Sequence, residues 1–247
     1  MRALALGPRS LVAGFKLLFR PGVRRYVLVP FMTNVLLFTG AFVYGAGLIG
    51  ETIDWLTRQW TWTEWLAWIL WPLFLIIVLA VLFFCFSIVA NLIAAPFNGY
   101  LAREVERSLT GTSPSENERR DSLLAEFTSA LRSESTKFAY FLIRALPLLL
   151  LFVVPLVNAV APLVWILFGA WMLALEYLEY PMGNSGMLFS EVRSRLGSQR
   201  ALTFGFGISV LVLTLIPVLN FVVMPVAVAA ATKLWVETLR PEARLQS

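Results

Sequence analysis

The stretch of this chain best suited to chemistry is residues 21–25, Pro-Gly-Val-Arg-Arg, which stands just before the first long apolar run. The start of a helix carries N–H groups without intrahelical acceptors and a partial positive charge. Gly22 and Val23 are therefore expected to offer amides to an oxyanion, and Arg24 and Arg25 to offer charge. The same residues are also typical of a plain membrane anchor, because arginine at the cytoplasmic end of a first spanning helix is the ordinary topology signal.

A second pair with chemical potential is Glu176 and Glu179, which lie one helical turn apart. Such a pair can act in catalysis or hold a coupling ion, or it can simply end a membrane helix in the headgroup zone. The chain has no histidine, and its aspartates, Asp54 and Asp121, belong to no metal-ligand spacing. It also has no phosphate-cradling glycine loop. We therefore assign no catalytic residue, metal or cofactor, and we do not expect an enzyme.

The composition indicates an all-α integral membrane protein, with 59% hydrophobic and only 14% charged residues. At 247 residues the chain is expected to form a single membrane domain, 1–247. Its net charge of +5 would suggest nucleic acid in a soluble protein. Because the basic residues lie beside apolar runs, membrane lipid headgroups are the expected partner and nucleic acid is not.

Four apolar runs contain no charged residue, namely 26–50, 65–102, 145–175 and 201–232. Each is longer than the about 20 residues that a spanning helix needs. The first run predicts a spanning helix over 26–50, and the second predicts one over 72–95. Tryptophans between these two runs are typical of the aromatic belt at a membrane surface.

The third and fourth runs are each interrupted by a proline and an asparagine in the same order. The third contains Pro155 and Asn158, and the fourth contains Pro217 and Asn220. Proline removes a backbone donor, and asparagine prefers turns and caps, so each run is expected to form two short helices joined at its centre. Arms this short predict re-entrant hairpins over 145–175 and 201–232.

The distribution of basic residues favours these hairpins over four full spans. With two spans and two hairpins, every basic segment lies on one face of the membrane except Arg58. With four spans, the segment containing Arg193, Arg195 and Arg200 would lie on the opposite face. The positive-inside rule disfavours that arrangement.

Two further segments are polar or amphipathic. Residues 1–20 predict an amphipathic helix in the membrane interface, with apolar residues at helical spacing opposite Lys16 and Arg20. Residues 101–144 predict a cytoplasmic helical segment that Gly111 divides in two, with Ser115 and Glu118 spaced as a capping box. The second of these helices has an apolar face formed by Leu123, Leu124, Phe127, Leu131 and Phe138.

Several motifs of this chain, taken together and in order, resemble those of the CysZ-type sulfate permeases, a family of bacterial inner-membrane transporters. The resemblance runs over nearly the whole chain. The motifs are residues 21–25 with Val29-Pro30, Ala94-Ala95-Pro96-Phe97-Asn98-Gly99, Leu109-Thr110-Gly111, Lys137-Phe138-Ala139 with Arg144, Ile216-Pro217-Val218-Leu219-Asn220, and Met224-Pro225-Val226-Ala227-Val228.

The resemblance implies two long spanning helices, two pairs of half-penetrating helices, a homo-oligomer, and sulfate binding at Gly22, Val23, Arg24 and Arg25. It also implies a multi-pass protein of the bacterial inner membrane. Four more residues are carried over as candidates for the pore or for structural pairing: Asn98, Glu106, Lys137 and Arg144. The chain departs from the family pattern after Tyr180-Pro181, where an acidic residue and a histidine are replaced by Gly183 and Ser185.

The sequence therefore predicts a sulfate permease that mediates ATP-independent uptake for cysteine biosynthesis. The alternative is a non-conducting membrane scaffold that binds anionic lipid or a soluble partner through its basic face.

Overall fold

The computed structural model describes residues 2–59, 72–73, 75–76, 97–111 and 123–240, and these are helical apart from short connecting turns. The chain forms two compact units, one made of Met1–Arg24 with Asn98–Ser247 and the other of Arg25–Phe97. The prediction of an all-α protein is confirmed.

The unit Arg25–Phe97 contains one long helix, α2 (Arg25–Gln59). Its first part, Arg25–Gly45, is long and apolar enough to cross a membrane. Apolar side chains such as Leu36 and Phe42 are exposed along it, as expected of a helix that faces lipid. The helix continues past the predicted end at residue 50 and includes the more polar residues up to Gln59. Most of the second predicted span, 72–95, lies outside the described residues, although 72–73 and 75–76 are helical.

The other unit begins with α1 (Arg2–Leu17), which packs against two later helices, α7 (Arg200–Thr214) and α8 (Pro217–Leu234). Of the predicted apolar face, Leu11 and Leu18 are buried, whereas Val12, Phe15 and Phe19 are exposed. Glycines decide which side is buried: the Cβ of a residue replacing Gly14 would lie 2.6 Å from the Val226 carbonyl oxygen. Small residues allow helix backbones to approach this closely.

The polar middle of the chain begins with helical residues 97–110, here called α3. Gly111 ends α3 in the left-handed region, at φ 74°, and its amide donates to the Arg107 carbonyl at 2.9 Å. That is the usual role of a glycine just after a helix. The predicted capping box at Ser115 and Glu118 lies outside the described residues. Helix α4 (Leu123–Leu150) runs without a break through residues 144–145, so the predicted cytoplasmic segment and the predicted first hairpin share one helix.

Turns over residues 151–160 join α4 to α5 (Ala161–Asn184). The break therefore falls where Pro155 and Asn158 predicted it. Both helices are longer than the short arms expected from the apolar run, because α5 continues through Glu176, Glu179 and Pro181. The connection is apolar and open to its surroundings, with Leu156 92% exposed at φ 70°.

The last part of this unit contains α6 (Phe189–Gly197), α7, α8 and a π-helical turn at Trp235–Leu239. The second predicted break lies just before Pro217, which is the first residue of α8, whereas Pro225 lies inside the helix. Proline is well tolerated at a helix start, where its missing N–H has no intrahelical partner. The core is built from small, aliphatic and aromatic residues of α5, α7 and α8, including Ala170, Val210 and Phe206.

Within the described ranges, three helical segments are long and apolar enough to cross a membrane: Arg25–Gly45, Ala161–Asn184 and Val222–Leu239. A fourth is added if α6 and α7, which bend by 106° at their junction, are counted as one span. The chain is therefore a membrane protein.

Candidate functional site

The predicted anion-binding stretch lies in a tight turn between α1 and α2. Pro21 and Gly22 occupy its two central positions, and the Val23 amide donates to the Arg20 carbonyl at 3.2 Å. Gly22 has φ 93°, in the left-handed region. Proline followed by a residue with positive φ is the signature of a type II β-turn, so Pro-Gly dictates the local backbone.

The turn changes which amides are available to an anion. The sequence expected Val23 to offer its N–H, but that N–H is used by the turn, and the Val23 side chain is fully buried. The Arg24 amide also donates to the Arg20 carbonyl, at 3.4 Å. Because α2 begins at Arg25, the N–H groups without intrahelical acceptors lie at and after Arg25 rather than at Val23.

Both arginine side chains of the stretch are exposed. Arg24 is the last residue of the first unit, and Arg25 is the first residue of the second. The Arg25 Nη2 donates to the Tyr26 hydroxyl at 3.1 Å, and its guanidinium carbon lies 4.8 Å from the centre of the same ring. Tyr26 therefore limits the orientations of one of the two cations.

Helix α3 supports the turn from one side. The Arg20 Nη1 donates to the Ser108 carbonyl at 3.2 Å. One helical turn earlier, the Glu104 carboxylate lies beside Gly22, where its Oε1 would be 2.7 Å from an added Cβ atom. Residues four apart lie on one face of a helix, so a single face of α3 holds the turn.

Asn98 and Glu106, two of the candidates for the pore or for pairing, are buried on the same helix. The Asn98 Nδ2 lies 3.4 Å from the Tyr180 hydroxyl and 3.1 Å from the Met224 sulfur, so it links α3 to α5 and α8. The Glu106 Oε1 forms an ion pair with Arg240 Nη2 at 3.0 Å. Burial raises the pKa of the Glu106 carboxyl, and the Arg240 guanidinium lowers it by a smaller amount.

Lys137 joins the two acidic residues that the sequence singled out. Its Nζ lies 3.0 Å from the Glu176 Oε2 and 2.7 Å from the Glu179 Oε2. The lysine comes from α4 and both carboxylates from α5. Glu176 and Glu179 are thus part of an ion-pair cluster that links α5 to α4. Lys137 is the cation of this cluster.

Arg144, the last of the candidates, packs on an aromatic ring. Its guanidinium carbon lies 4.1 Å from the centre of the Tyr140 ring, and that of Arg193 lies 5.2 Å from it. The Tyr140 hydroxyl accepts a hydrogen bond from the Trp171 Nε1 at 2.9 Å. The ring therefore connects α4, α5 and α6 through cation–π and hydrogen-bond contacts.

The described ranges hold no group of three or more histidine, cysteine, aspartate or glutamate side chains placed to bind a metal ion. The turn with Arg24 and Arg25 stays the predicted anion-binding stretch. The other candidates are held by partners of their own.

Comparison with known proteins now decides the family. The model of the family described as Sulfate transporter CysZ/Etoposide-induced protein 2.4 matches residues 10–225. The chain belongs to this family. It is also 40% identical over 240 residues to a protein named Sulfate transporter CysZ from Pectobacterium atrosepticum, a match that covers 95% of this chain and 86% of that protein. The descriptions of the family and of this relative both name a transporter, and this points away from an enzyme.

For several of the candidate residues in this CysZ family member, the contact partner was not predicted from the sequence. Arg240 pairs with Glu106, the Tyr140 ring lies against Arg144, and the Ser108 carbonyl accepts a hydrogen bond from Arg20. All but Tyr140 come from a different element than the residue they contact. Periodicity along one helix carries no signal for such pairs.

Proposed function

We propose that this chain carries sulfate across the bacterial inner membrane, inward and without ATP, to supply cysteine biosynthesis. The observation that carries the proposal is the exposed pair Arg24 and Arg25, which follows a rigid Pro-Gly turn at the start of α2 in a member of the CysZ family. The name of the 40% identical relative supplies the ligand.

The proposed site consists of Gly22, Val23, Arg24 and Arg25. Arg24 and Arg25 attract the dianion, since charge-assisted hydrogen bonds from guanidinium groups suit a tetrahedral oxyanion. Val23 contributes by anchoring the turn through its buried side chain, and Gly22 by its positive φ. Amides at the start of α2 add further donors. Solvent around the exposed arginines keeps binding weak enough for release, as conduction requires.

The proposed membrane architecture is a single multi-pass domain with two spanning helices and two half-penetrating hairpins, assembled as a homo-oligomer. Helix lengths support the second hairpin. Helix α7 has 15 residues and α8 has 18. At about 1.5 Å per residue they measure about 22 and 27 Å, compared with a hydrocarbon core of about 30 Å. The support comes from α7, because the π-helical turn after α8 lengthens that helix enough to cross.

The first hairpin has support from α4 and the connection that follows it, whereas α5 is by itself long enough to cross a membrane. Between Lys137 and Leu150 there is only about 20 Å of helix, and the connection beyond it is exposed and apolar, with Val153 78% exposed. An apolar tip beside a charged base fits a hairpin that enters the hydrocarbon from one side. Arg144 then reaches the lipid headgroups by extending its long side chain.

In this proposal Asn98, Glu106 and Lys137 fasten helices to each other, Arg144 packs on a ring of its own helix, and none of the four binds sulfate. Each has a partner on a neighbouring ring or helix, as given above. The alternative function, a non-conducting scaffold, has no support in the family match.

Purified protein in liposomes tests the proposal. Arg24→Ala combined with Arg25→Ala is expected to abolish uptake of radiolabelled sulfate while leaving the oligomer intact on size exclusion. Arg9→Ala combined with Arg200→Ala is the matched control, since both residues are exposed and the loss of charge is the same. Uptake at the wild-type rate by the Arg24/Arg25 variant would refute the site. Lipid binding without any flux by the wild type would favour the scaffold.

A further inference from the structure

The carboxylate of Glu104 stands against the turn that precedes the two arginines. Its Oε1 lies 2.7 Å from the position of a Cβ atom on Gly22, closer than ordinary van der Waals contact. An alanine at position 22 would force this carboxylate to move, and at φ 93° its own backbone would be strained. A negative side chain beside a stretch that binds an anion has no evident structural purpose.

The position of Glu104 relative to the turn is fixed by neighbouring contacts. Arg20, at the start of the turn, binds the carbonyl of Ser108, one helical turn after Glu104 on the same face of α3. Val23, at the end of the turn, is fully buried. These contacts hold the backbone of α3 at Glu104 beside the turn, which keeps the carboxylate within reach of Gly22.

The charge of Glu104 is not cancelled by a direct partner. In the part of the chain that the structure describes, no lysine or arginine nitrogen lies within salt-bridge distance of this carboxylate. Its field therefore acts on whatever anion the neighbouring arginines attract. Repulsion by a fixed charge is proportional to the charge of the ligand, so a dianion feels it twice as strongly as a monoanion.

We propose that Glu104 sets the affinity of the anion site and its preference between dianions and monoanions. It does not touch the ligand. Its negative charge weakens the hold of Arg24 and Arg25 on sulfate, which favours release into the transport path. This inference rests on the proposed function, because it assumes that sulfate binds at Arg24 and Arg25.

Binding measurements on the purified full-length protein test the inference with two ligands, sulfate and methyl sulfate, which share a sulfate group but carry two charges and one. In Glu104→Gln we expect the dissociation constant for sulfate to fall by about tenfold, or about 1.4 kcal/mol. That for methyl sulfate should fall by about threefold, because the repulsion removed is half as large. Glu104→Asp should keep affinities close to the wild type.

Glu51→Gln is the matched control, since it removes one carboxylate about 39 Å along α2 from Arg25, at an exposed residue. A purely structural role for Glu104 would change the two affinities by the same factor, and that result would overturn the inference. Unchanged affinities in a folded Glu104→Gln variant would also overturn it. If the wild type itself binds no sulfate, the proposed function fails first, and the two failures are thereby distinguished.

Discussion

A Cβ atom placed on Gly205 of α7 would lie 2.6 Å from the carbonyl oxygen of Leu4 in α1. The two helices therefore cross with their backbones in contact. The N-terminal helix is packed into the helical body at this point, which a helix resting loosely on the membrane surface would not be.

Replacing Gly205 by alanine is expected to push α1 away from α7. Overpacking of this kind costs about 1–3 kcal/mol, measured as a lower midpoint of thermal unfolding in detergent. Gly169→Ala is the control, because a Cβ atom there meets nothing within 4 Å. Equal midpoints for the two variants would mean that the α1–α7 contact does not contribute to stability.

Gly22→Ala is expected to disrupt the turn and weaken sulfate binding. The added methyl group meets the Glu104 carboxylate, and the backbone at φ 93° disfavours any other residue. Gly111→Ala isolates the second effect, because Gly111 has φ 74° with nothing within 4 Å of its Cβ position. The control should lose only about 1–2 kcal/mol of stability, and sulfate binding should persist.

A second variant separates the steric effect at the turn from the backbone effect. Combining Gly22→Ala with Glu104→Ser removes the side chain that the methyl group meets. Glu104→Ser alone is the reference, because it also removes the negative charge. If the steric contact matters, Gly22→Ala should weaken sulfate binding by a smaller factor in the Glu104→Ser background than in the wild type, measured by titration calorimetry. Equal factors in the two backgrounds would assign the whole loss to the backbone conformation of the turn.

Local features of this fold were accessible from the sequence. Pro21-Gly22 predicted the turn, and Pro155 with Asn158 predicted the break between α4 and α5, because these residues act on the backbone at their own positions. The lengths of the helices were predicted poorly. Charged residues were taken as helix ends, yet α5 continues through Glu176 and Glu179, since Lys137 neutralises part of their charge.

Contacts between distant elements were beyond prediction. The link from Asn98 to Tyr180 and the ion pair of Glu106 with Arg240 join residues far apart in the chain. Nothing in the period of one helix specifies its partner on another. The use of the Val23 amide within the turn was missed for a different reason, since the turn type determines which N–H remains available.

The buried carboxyl of Glu106 should make stability depend on pH. Burial raises its pKa in the folded protein above the usual value of 4.5, and Arg240 opposes this in part. The folded state therefore binds a proton more readily than the unfolded state does. This contribution to stability is full below pH 4.5 and is lost as the pH rises through the raised pKa.

Glu106→Gln should remove this slope. As the pH rises from 4.5, the unfolding midpoint of the wild type should therefore fall relative to that of the variant. Glu51→Gln controls for the loss of a carboxylate as such. A constant difference at every pH would show that Glu106 does not titrate differently in the two states.

The ion-pair cluster of Lys137 predicts an ordered series of stabilities. Lys137→Met leaves two carboxylates facing each other without their cation, and breaking a buried pair in this way costs about 3–5 kcal/mol. Glu176→Gln should lower the stability only a little, because that side chain is 41% exposed. Glu179→Gln should lower it more, because the Glu179 side chain is 16% exposed. Thermal unfolding of the three variants gives the order directly.

A fourth variant tests whether the cluster acts only in structure. Adding Glu176→Gln and Glu179→Gln to Lys137→Met removes the negative charges that Lys137 had neutralised, so stability should recover in part, because buried ion pairs can be replaced by neutral groups at little cost. Sulfate affinity should stay at the wild-type value in this variant, since the cluster fastens α4 to α5 and leaves the turn at Arg24 unchanged. If the folded triple variant lost sulfate binding, Lys137 would belong to the anion path and not to the packing of α4 against α5.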